Sequence, residues 1–459
     1  MKPLTLRPAA RATAAALALF AAQAAFQPAF CLDLFGAYEL AQRADPAMRA
    51  AEASLSAGRE KAVQGDALLR PRINLSANVS RQDDRSSSSA TLPPPLDQVT
   101  RSDSSGTARD IALSLNQPVY DAKAKADKQQ LHAQAGMAEV RFRSAEQELM
   151  QRVADAYFGV LLAGESLRVT QAELAAVQLQ RDRAQARFDV GRGKITDLQE
   201  AQARVDSLLA RELSAQSQLA LREAQFQELT GTPARELRPL RADFKPQPPL
   251  PDDLGGWQQL GESLNTRVAL SRQDLAIATA EIAKHSLSGR PTLELTSRYS
   301  QRDQGSGLSS ALSPDTRRSL SVGLQLTVPL YAGGALDSRQ RESLARQSEA
   351  EEQLAAAKRD ARLQVQDGYL AVKTGIARIA ALQQSLVSAR SALEATTLGR
   401  DVGTRTELDV LDAQQRVFQV QLDLAQARND YLLGRVRLAS SAGTLQPEAL
   451  RELNTYLAL

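Results

Sequence analysis

The sequence predicts a protein of mixed α and β structure in which one structural plan occurs twice. Three observations lead to this prediction: the two halves share short motifs, each half contains a long segment without proline, and each half contains segments in which polar and apolar residues alternate. Long amphipathic segments are typical of helices, whereas alternation with a period of two is typical of strands. The low aromatic content of 4% also favours long helices over one large compact core.

The duplication is visible in motifs that recur at nearly constant separation. These pairs are Arg70-Pro71 with Arg290-Pro291, Pro118-Val119-Tyr120 with Pro329-Leu330-Tyr331, and Asp189-Val190-Gly191 with Asp401-Val402-Gly403. The separation far exceeds the period of solenoid repeats, which is about 20 to 50 residues. We therefore assign residues 26–244 to a first repeat and residues 257–445 to a second. A proline-rich linker at residues 245–256 joins them, and a C-terminal segment, residues 446–459, follows.

The N-terminus predicts a secretory signal peptide, which we assign to residues 1–25. Basic residues precede an apolar run that ends in small residues at Ala22 and Ala24, as in segments that are cleaved after export. Cys31 is the only cysteine, so an intramolecular disulfide is excluded. It is either an unmodified thiol or the attachment point of a lipid, and Phe30 before it disfavours the lipid, because a lipoprotein signal has a small residue there.

Charge and motif content exclude several classes of function. The 56 basic and 53 acidic residues are spread along the chain, so no basic block indicates nucleic acid. The two histidines, His132 and His285, are isolated on helical segments, and the sequence contains no glycine-rich phosphate loop or metal-ligand cluster. We therefore expect no catalytic residue, no cofactor and no metal site. A hydrolase or other periplasmic enzyme has no candidate site in this sequence.

Each half contains a predicted β-hairpin, at residues 72–120 and 291–331. The strands alternate between aliphatic and uncharged polar residues, hold roughly ten residues each, and are joined by long Ser- and Pro-rich loops at residues 83–107 and 303–318. This pattern is typical of a barrel in an outer membrane, and a soluble hairpin with one buried face is the alternative. Because barrels need about eight strands or more, three chains with four strands each would close one of 12 strands.

The longest predicted elements are the helices that follow the hairpins. No proline occurs from Asp121 to Phe188 or from Leu336 to Leu398, and each segment would be roughly 100 Å long as one helix. In the second segment apolar residues recur at steps of four and three, which predicts a coiled-coil seam. The seam consists of Val365, Tyr369, Val372, Ile376, Ile379, Leu382, Leu386, Ala389 and Leu393.

After each long helix the chain reverses direction at an Asp-Val-Gly motif. We call these two turns the tips, residues 189–197 and 400–409. Glycine permits the left-handed backbone that ends a helix. The segments Thr196–Gln199 and Thr404–Glu407 fit the capping box that begins the next helix.

The second tip carries charge that such a cap does not require. Asp409 and Asp412 lie at positions i and i+3, on one face of the predicted return helix. In a threefold assembly they would form rings of carboxylates that attract cations, provided that they face the axis. Two solvated surface aspartates are the alternative.

Residues 402–413, Val-Gly-Thr-Arg-Thr-Glu-Leu-Asp-Val-Leu-Asp-Ala, resemble the periplasmic tip of TolC-family outer-membrane channel proteins, especially those of type I secretion. Similar stretches at Ala44–Pro46, Pro329–Gly334 and Ala427–Leu445 extend the resemblance over essentially the whole mature chain. It implies a homotrimer with a 12-stranded barrel in contact with outer-membrane lipid, continuous with a long α-helical tunnel through the periplasm. The implied function is a passive exit duct that works with a periplasmic adaptor protein and an inner-membrane ABC or proton-driven transporter.

The resemblance also implies roles for individual tip residues. Asp409 and Asp412 would line the closed aperture. Arg405 would pair with Asp197 of the other repeat's tip, beside Thr196.

The remaining tip positions are expected to hold this contact or to bind a partner. Where the family has a supporting tyrosine this chain has Arg400, which would strengthen the hold on Asp197. The turns Val190-Gly191 and Val402-Gly403 would contact the adaptor hairpin. Because the tip is most similar to the secretion branch, we expect protein export. Small-molecule efflux is the alternative, and a periplasmic coiled-coil adaptor is a further one.

Overall fold

The structure, a computed structural model, describes residues 32–90, 98–234, 237–305, 308 and 314–458. The predicted signal peptide, Cys31 and parts of both predicted Ser-rich loops lie outside the described residues. Within the described residues, no helix is both long enough and apolar enough to cross a membrane.

The order of elements in the first half is repeated in the second, as the sequence predicts. The first half contains α1 (Leu34–Ala44), α2 (Pro46–Ala67), β1 (Arg72–Ala90), β2 (Gln98–Tyr120), α3 (Ala122–Asp189) and α4 (Ile195–Thr230). The second half contains α5 (Leu254–Leu264), α6 (Thr266–Ser286), β3 (Thr292–Gln304), β4 (Asp315–Thr327), α7 (Ala335–Asp401) and α8 (Glu407–Ser441), and α9 (Pro447–Asn454) follows. The fold is therefore mixed α and β.

The helical stretch that precedes each hairpin consists of two helices. In the first repeat the break falls at Asp45, whose Oδ1 accepts a hydrogen bond from Ala47 N at 3.1 Å. In the second it falls at Asn265, whose Oδ1 accepts from Arg267 N at 2.9 Å. Short polar side chains cap helix starts in this way, so each restarts a new helix in a stretch whose apolar spacing continues across the break.

The four strands form one antiparallel sheet in the order β1-β2-β3-β4. The register places apolar residues opposite each other on one face: Leu75 pairs with Leu113, Leu113 with Tyr299, and Tyr299 with Leu320. This face is uncovered within one chain, since Leu75 is 73% exposed and Leu320 is 70% exposed. Ser, Asn and Thr occupy the intervening positions, as the alternating pattern predicts.

The strands are longer than predicted, most of all in the first hairpin. Strands β1 and β2 contain 19 and 23 residues, and β3 and β4 contain 13 each. Much of the predicted loop at residues 83–107 is paired strand, with Asp83 opposite Ser105 and Arg85 opposite Asp103. The prediction was wrong because these segments are polar on both faces. They carry no alternation, and their pairing continues from the register of the apolar part.

The chain divides into two compact units. The unit of residues 53–142 and 269–357 contains the sheet and the helical segments next to it. The other unit contains the tips. In that unit the first part of the predicted seam of α7 is buried, with Val365, Val372 and Ile379 fully covered, and the part after Ile379 is half-buried. In the same unit, the segment at residues 237–240 forms two backbone bridges, from Leu237 to Leu32 and from Leu240 to Leu457.

A tyrosine holds the linker against α8. The hydroxyl of Tyr431 donates to Gln247 O and accepts from Gln247 N, both at 2.8 Å. Burial, with a contribution from the neighbouring Tyr456 hydroxyl, raises the pKa of Tyr431 to about 12. The phenol that holds the linker is therefore neutral throughout the physiological pH range.

Candidate functional site: the two helical tips

Both tips end their long helix with a left-handed glycine, as predicted. Gly191 has φ 72° and its N–H donates to Phe188 O at 2.8 Å, while Gly403 has φ 81° and donates to Arg400 O at 3.0 Å. A Cβ at either position would meet nothing within 4 Å. Glycine is therefore required by the backbone conformation and not by lack of space.

The second tip starts its return helix two residues later than the sequence predicts. The N–H groups of Thr404 and Arg405 both donate to Gly399 O, at 2.8 and 3.2 Å, so these residues complete the turn. The capping box therefore forms at Thr406 and Asp409, and the predicted box at Thr404–Glu407 is wrong. The sequence offers threonine followed three residues later by an acid in both registers, and the length of the turn decides between them.

Asp409 is an integral part of this cap. Its Oδ2 accepts hydrogen bonds from Thr406 N at 2.8 Å and from Thr406 Oγ1 at 2.9 Å. These bonds, from the backbone N–H first and the hydroxyl second, hold the pKa of Asp409 below its ordinary value, and the Arg405 charge adds to the effect. The expectation that capping does not require Asp409 is therefore wrong.

The first tip has no side-chain cap. Helix α4 begins after Lys194, which makes no capping hydrogen bond, and Thr196 lies inside the first turn. The predicted box at Thr196–Gln199 is therefore wrong. The two tips share the glycine turn but differ in how the return helix starts.

A partly buried ion cluster ties the second tip to the end of the first long helix. Glu407, whose side chain is 7% exposed, lies between two guanidinium groups: Arg400 Nη1 is 3.3 Å from its Oε1, and Arg187 Nη1 is 3.2 Å from its Oε2. Arg400 is 9% exposed and also donates to Asp401 Oδ1 at 2.7 Å. We call Arg187, Arg400, Asp401 and Glu407 the tip cluster.

The electrostatic balance of Arg400 shows that the cluster is compensated. Burial disfavours its charged form, but the hydrogen bond with Asp401 and the charges of Glu407 and Asp401 outweigh burial and raise the pKa of Arg400 above its ordinary value. Neither Arg187 nor Glu407 is predicted from the sequence. The available signals were weak: an acid in the first turn of α8 and an arginine in the last turn of α3.

Asp412 contacts the first repeat as well. Its Oδ1 lies 2.7 Å from Arg204 Nη2 on α4, and both side chains remain partly exposed. A small core beside this pair contains Leu174, Val177, Ala201, Val205, Leu208 and Leu411, which come from α3, α4 and α8. The core positions α4 so that Arg204 reaches Asp412.

The structure does not bring Arg405 and Asp197 together within one chain. Among the described acidic groups, the partner of Arg405 is Asp409, whose Oδ1 is 4.0 Å from Arg405 Nη1. Arg400 contacts Glu407 and Asp401, and not Asp197 as expected. A contact between Arg405 and Asp197 would therefore have to join two chains.

The turns expected to contact an adaptor expose apolar side chains. Val190 is 69% exposed and Val402 is 68% exposed, and each directly precedes the left-handed glycine of its tip. An exposed valine at the same position of both tips is suited to a protein contact.

The histidines lie elsewhere and have ordinary partners. His132 Nε2 is 3.1 Å from Asp66 Oδ1, and His285 Nε2 is 3.6 Å from Glu281 Oε1. Within the part of the chain that the structure describes, no group of three or more metal-ligating side chains is arranged to hold a metal ion.

Comparisons with known proteins agree with this architecture. Residues 37–232 and 258–444 match the family model described as outer membrane efflux protein. The chain is 30% identical to the outer membrane protein TolC of Escherichia coli over 93% of this chain and 85% of that protein. It is 31% identical to the alkaline protease secretion protein AprF of Pseudomonas aeruginosa, over 91% and 86%.

A solved structure shows the same fold. The outer membrane protein VceC of Vibrio cholerae superimposes with a TM-score of 0.73 at 19% identity, over 89% of this chain and 96% of that one. The duplicated helices, the four-stranded sheet and the tips are thus a shared architecture. The chain belongs to the outer membrane efflux protein family, whose members are outer-membrane channels and not enzymes.

Proposed function

We propose that the chain forms, as a homotrimer, the outer-membrane exit duct of an export system. It passively conducts substrate that an inner-membrane transporter and a periplasmic adaptor deliver. The observation that carries the proposal is the four-stranded sheet, which has an exposed apolar face and two edge strands.

The sheet is incomplete as it stands in one chain. Strands β1 and β4 each pair on one side only among the described strands, and an unpaired edge next to lipid leaves backbone groups without hydrogen bonds. Four strands are too few to close a barrel. Three copies, with β4 of each chain beside β1 of the next, would close one of 12 strands and remove every edge.

The long helices fit the remainder of a duct. Helices α3 and α7 contain 68 and 67 residues, which corresponds to roughly 100 Å each at 1.5 Å per residue. A helical tunnel of that length would cross the periplasm, and the exposed Val190 and Val402 would then meet the adaptor.

The substrate we favour is protein. The tip at residues 402–413 is similar to that of type I secretion channels, and one relative is named for alkaline protease secretion. An ABC transporter is then the expected energy source. Efflux of small molecules, driven by an ABC or a proton-driven transporter, is the second candidate, since the family model and a TolC relative both match.

Deletion of the gene distinguishes these candidates. We expect the deletion strain to lose specific proteins from the culture supernatant, measured by mass spectrometry, with restoration by the plasmid-borne gene. An unchanged set of secreted proteins together with increased dye accumulation would favour efflux. Recovery of the chain outside the outer-membrane fraction, without a heat-modifiable trimer in gels, would contradict the duct itself.

Contact between Arg405 and Asp197 of neighbouring chains is part of this proposal. In a Cys31→Ser background, Arg405→Cys combined with Asp197→Cys should yield a covalent trimer under oxidising conditions, since the two positions do not meet within one chain. Nonreducing gels measure the product. Arg416→Cys with Asp197→Cys is the matched control and should stay monomeric. If the Arg405→Cys, Asp197→Cys variant yields only monomer, the contact between Arg405 and Asp197 is contradicted.

A further inference from the structure

A cavity of about 320 Å³ lies in the tip-containing unit, between α3, α7, α8 and the segment at residues 239–242. Apolar side chains, among them Phe158, Leu161 and Leu424, form part of its wall. Small-molecule sites begin at about this size and combine an apolar wall with a few placed polar groups. Nothing in the proposed duct function uses this cavity.

The lining of the cavity also carries an excess of positive charge. Four arginines line it, against a single acid, Glu165. Arg168 binds Glu165 through two hydrogen bonds, at 2.6 and 2.8 Å, and Arg241 binds Asp243 in the same two-fold manner. The remaining two, Arg390 and Arg428, make neither a hydrogen bond nor an ion pair with any described residue.

Arg428 is the more unusual of the two. Its Nε is inaccessible to solvent and has no hydrogen-bond partner among the described residues, and its guanidinium carbon lies 5.6 Å from the ring centre of Phe244. Burial lowers the pKa of Arg428, and the charge of Glu165 only partly offsets this. A partly buried guanidinium without an acceptor is costly, so the site is suited to an acceptor supplied from outside the chain.

The residue next to Arg428, Asn429, also lines this cavity. Asn429 is 7% exposed, and its Oδ1 has no partner among the described residues. The amide can donate from Nδ2 as well as accept at Oδ1. Two adjacent residues of α8 therefore present unpaired polar atoms beside an apolar wall.

We propose that this cavity binds an amphiphilic anion, a molecule with a carboxylate or phosphate head and a short apolar chain. Arg428 and Arg390 bind the head through charge-assisted hydrogen bonds, and Phe158, Leu161 and Leu424 cover the chain. The periplasmic position of this unit in the proposed duct would place the site where fatty acids and lysophospholipids diffuse between the membranes.

The test uses the full chain in nanodiscs and three probes: octyl phosphate, octanol and inorganic phosphate. We expect octyl phosphate to raise the temperature of thermal dissociation and to bind in calorimetry. Octanol, which lacks the anionic head, and inorganic phosphate, which lacks the apolar chain, should do neither. Arg428→Gln should weaken octyl phosphate binding at least tenfold, the size expected for one charge-assisted hydrogen bond. Arg437→Gln, an exposed arginine of the same helix that does not line the cavity, should leave binding unchanged.

Several results would overturn the proposal. Equal binding of octyl phosphate to Arg428→Gln and to the unchanged chain would place the ligand elsewhere. Equal stabilisation by inorganic phosphate would indicate a simple anion site. Absence of binding together with a less stable trimer in Arg428→Gln would mean that an acidic group of a second copy fills the cavity. Should Arg428→Gln not fold, Arg390→Gln provides the same comparison.

Discussion

Replacing Glu407 by glutamine should open the second tip and increase leakage through the proposed channel. Glutamine keeps the size of the side chain but removes the negative charge that faces both Arg187 and Arg400. Arg400 is nearly buried, and removing one partner of a buried ion pair costs about 3–5 kcal/mol. We expect the lower end of that range, because Arg400 keeps its contact with Asp401.

A loss of about 3 kcal/mol would shift the balance between closed and open tips by roughly a hundredfold. Single-channel conductance in planar bilayers and sensitivity of cells to large antibiotics measure this shift. Arg187→Gln should have a smaller effect, since Arg187 is 48% exposed and water replaces part of its contact.

The matched control is Asp401→Asn. This variant removes the carboxylate of Asp401, whose side chain is 54% exposed, from its contact with Arg400 and leaves Glu407 in place. Because water can replace much of this exposed contact, we expect a much smaller rise in conductance for this variant than for Glu407→Gln. A Glu407→Gln channel that remains as tightly closed as the control would show that the tip cluster does not hold the tip.

Removing the carboxylates of Asp409 and Asp412 together should weaken block of the channel by divalent cations. If both face the axis of the trimer, they supply the negative charge that concentrates cations there. We expect the Mg²⁺ concentration for half-block to rise about tenfold or more in the Asp409→Asn, Asp412→Asn double variant, as measured in single-channel recordings. Unchanged block would contradict an axial position.

The two single variants should differ. Asp412 already has Arg204 at 2.7 Å, which compensates part of its charge, whereas the cation nearest Asp409, Arg405, is 4.0 Å away. Asp409→Asn should therefore weaken the block more than Asp412→Asn. Asp401→Asn again serves as the control, because it removes a carboxylate from the same turn without touching either aspartate.

The pH dependence of block tests the state of Asp409. Its folded pKa lies below the ordinary 3.8, so its charge is present above that value and is lost only as the pH falls through the lowered pKa. In the Asp412→Asn channel, block by Mg²⁺ should therefore persist at pH 4. Loss of block already at pH 5 would mean that Asp409 is not held in its ionised form by Thr406.

Much of the fold was predictable because the signals are local. The alternation from Ile73 to Ser80 and the four-and-three spacing from Val365 to Leu393 each reflect one face of one element, and both faces are observed. The left-handed glycines at 191 and 403 follow from the Asp-Val-Gly motifs for the same reason. A motif of this kind depends only on the conformation of a few neighbouring residues.

The candidate site was less predictable because its partners are distant in sequence. Arg187 and Glu407 are 220 residues apart, and Arg204 and Asp412 are 208 apart. The chain contains many other arginines that could have paired with Glu407 or Asp412. Only the packing of α3, α4 and α8 selects Arg187 and Arg204. The length of β1 and β2 was missed likewise, because pairing of polar segments depends on the opposite strand.

The sequence by itself determined the duplicated order of elements, the apolar face of the strands, the long helices and the glycine turns, since each is set by periodicity or backbone preference within a short stretch. Only the tertiary structure decided that Asp409 completes a cap, that Arg400 and Arg187 share Glu407, and that Arg428 lacks a partner. A long charged side chain can pair with any opposite charge within its reach. The backbone positions of separate helices therefore determine which charged side chains meet.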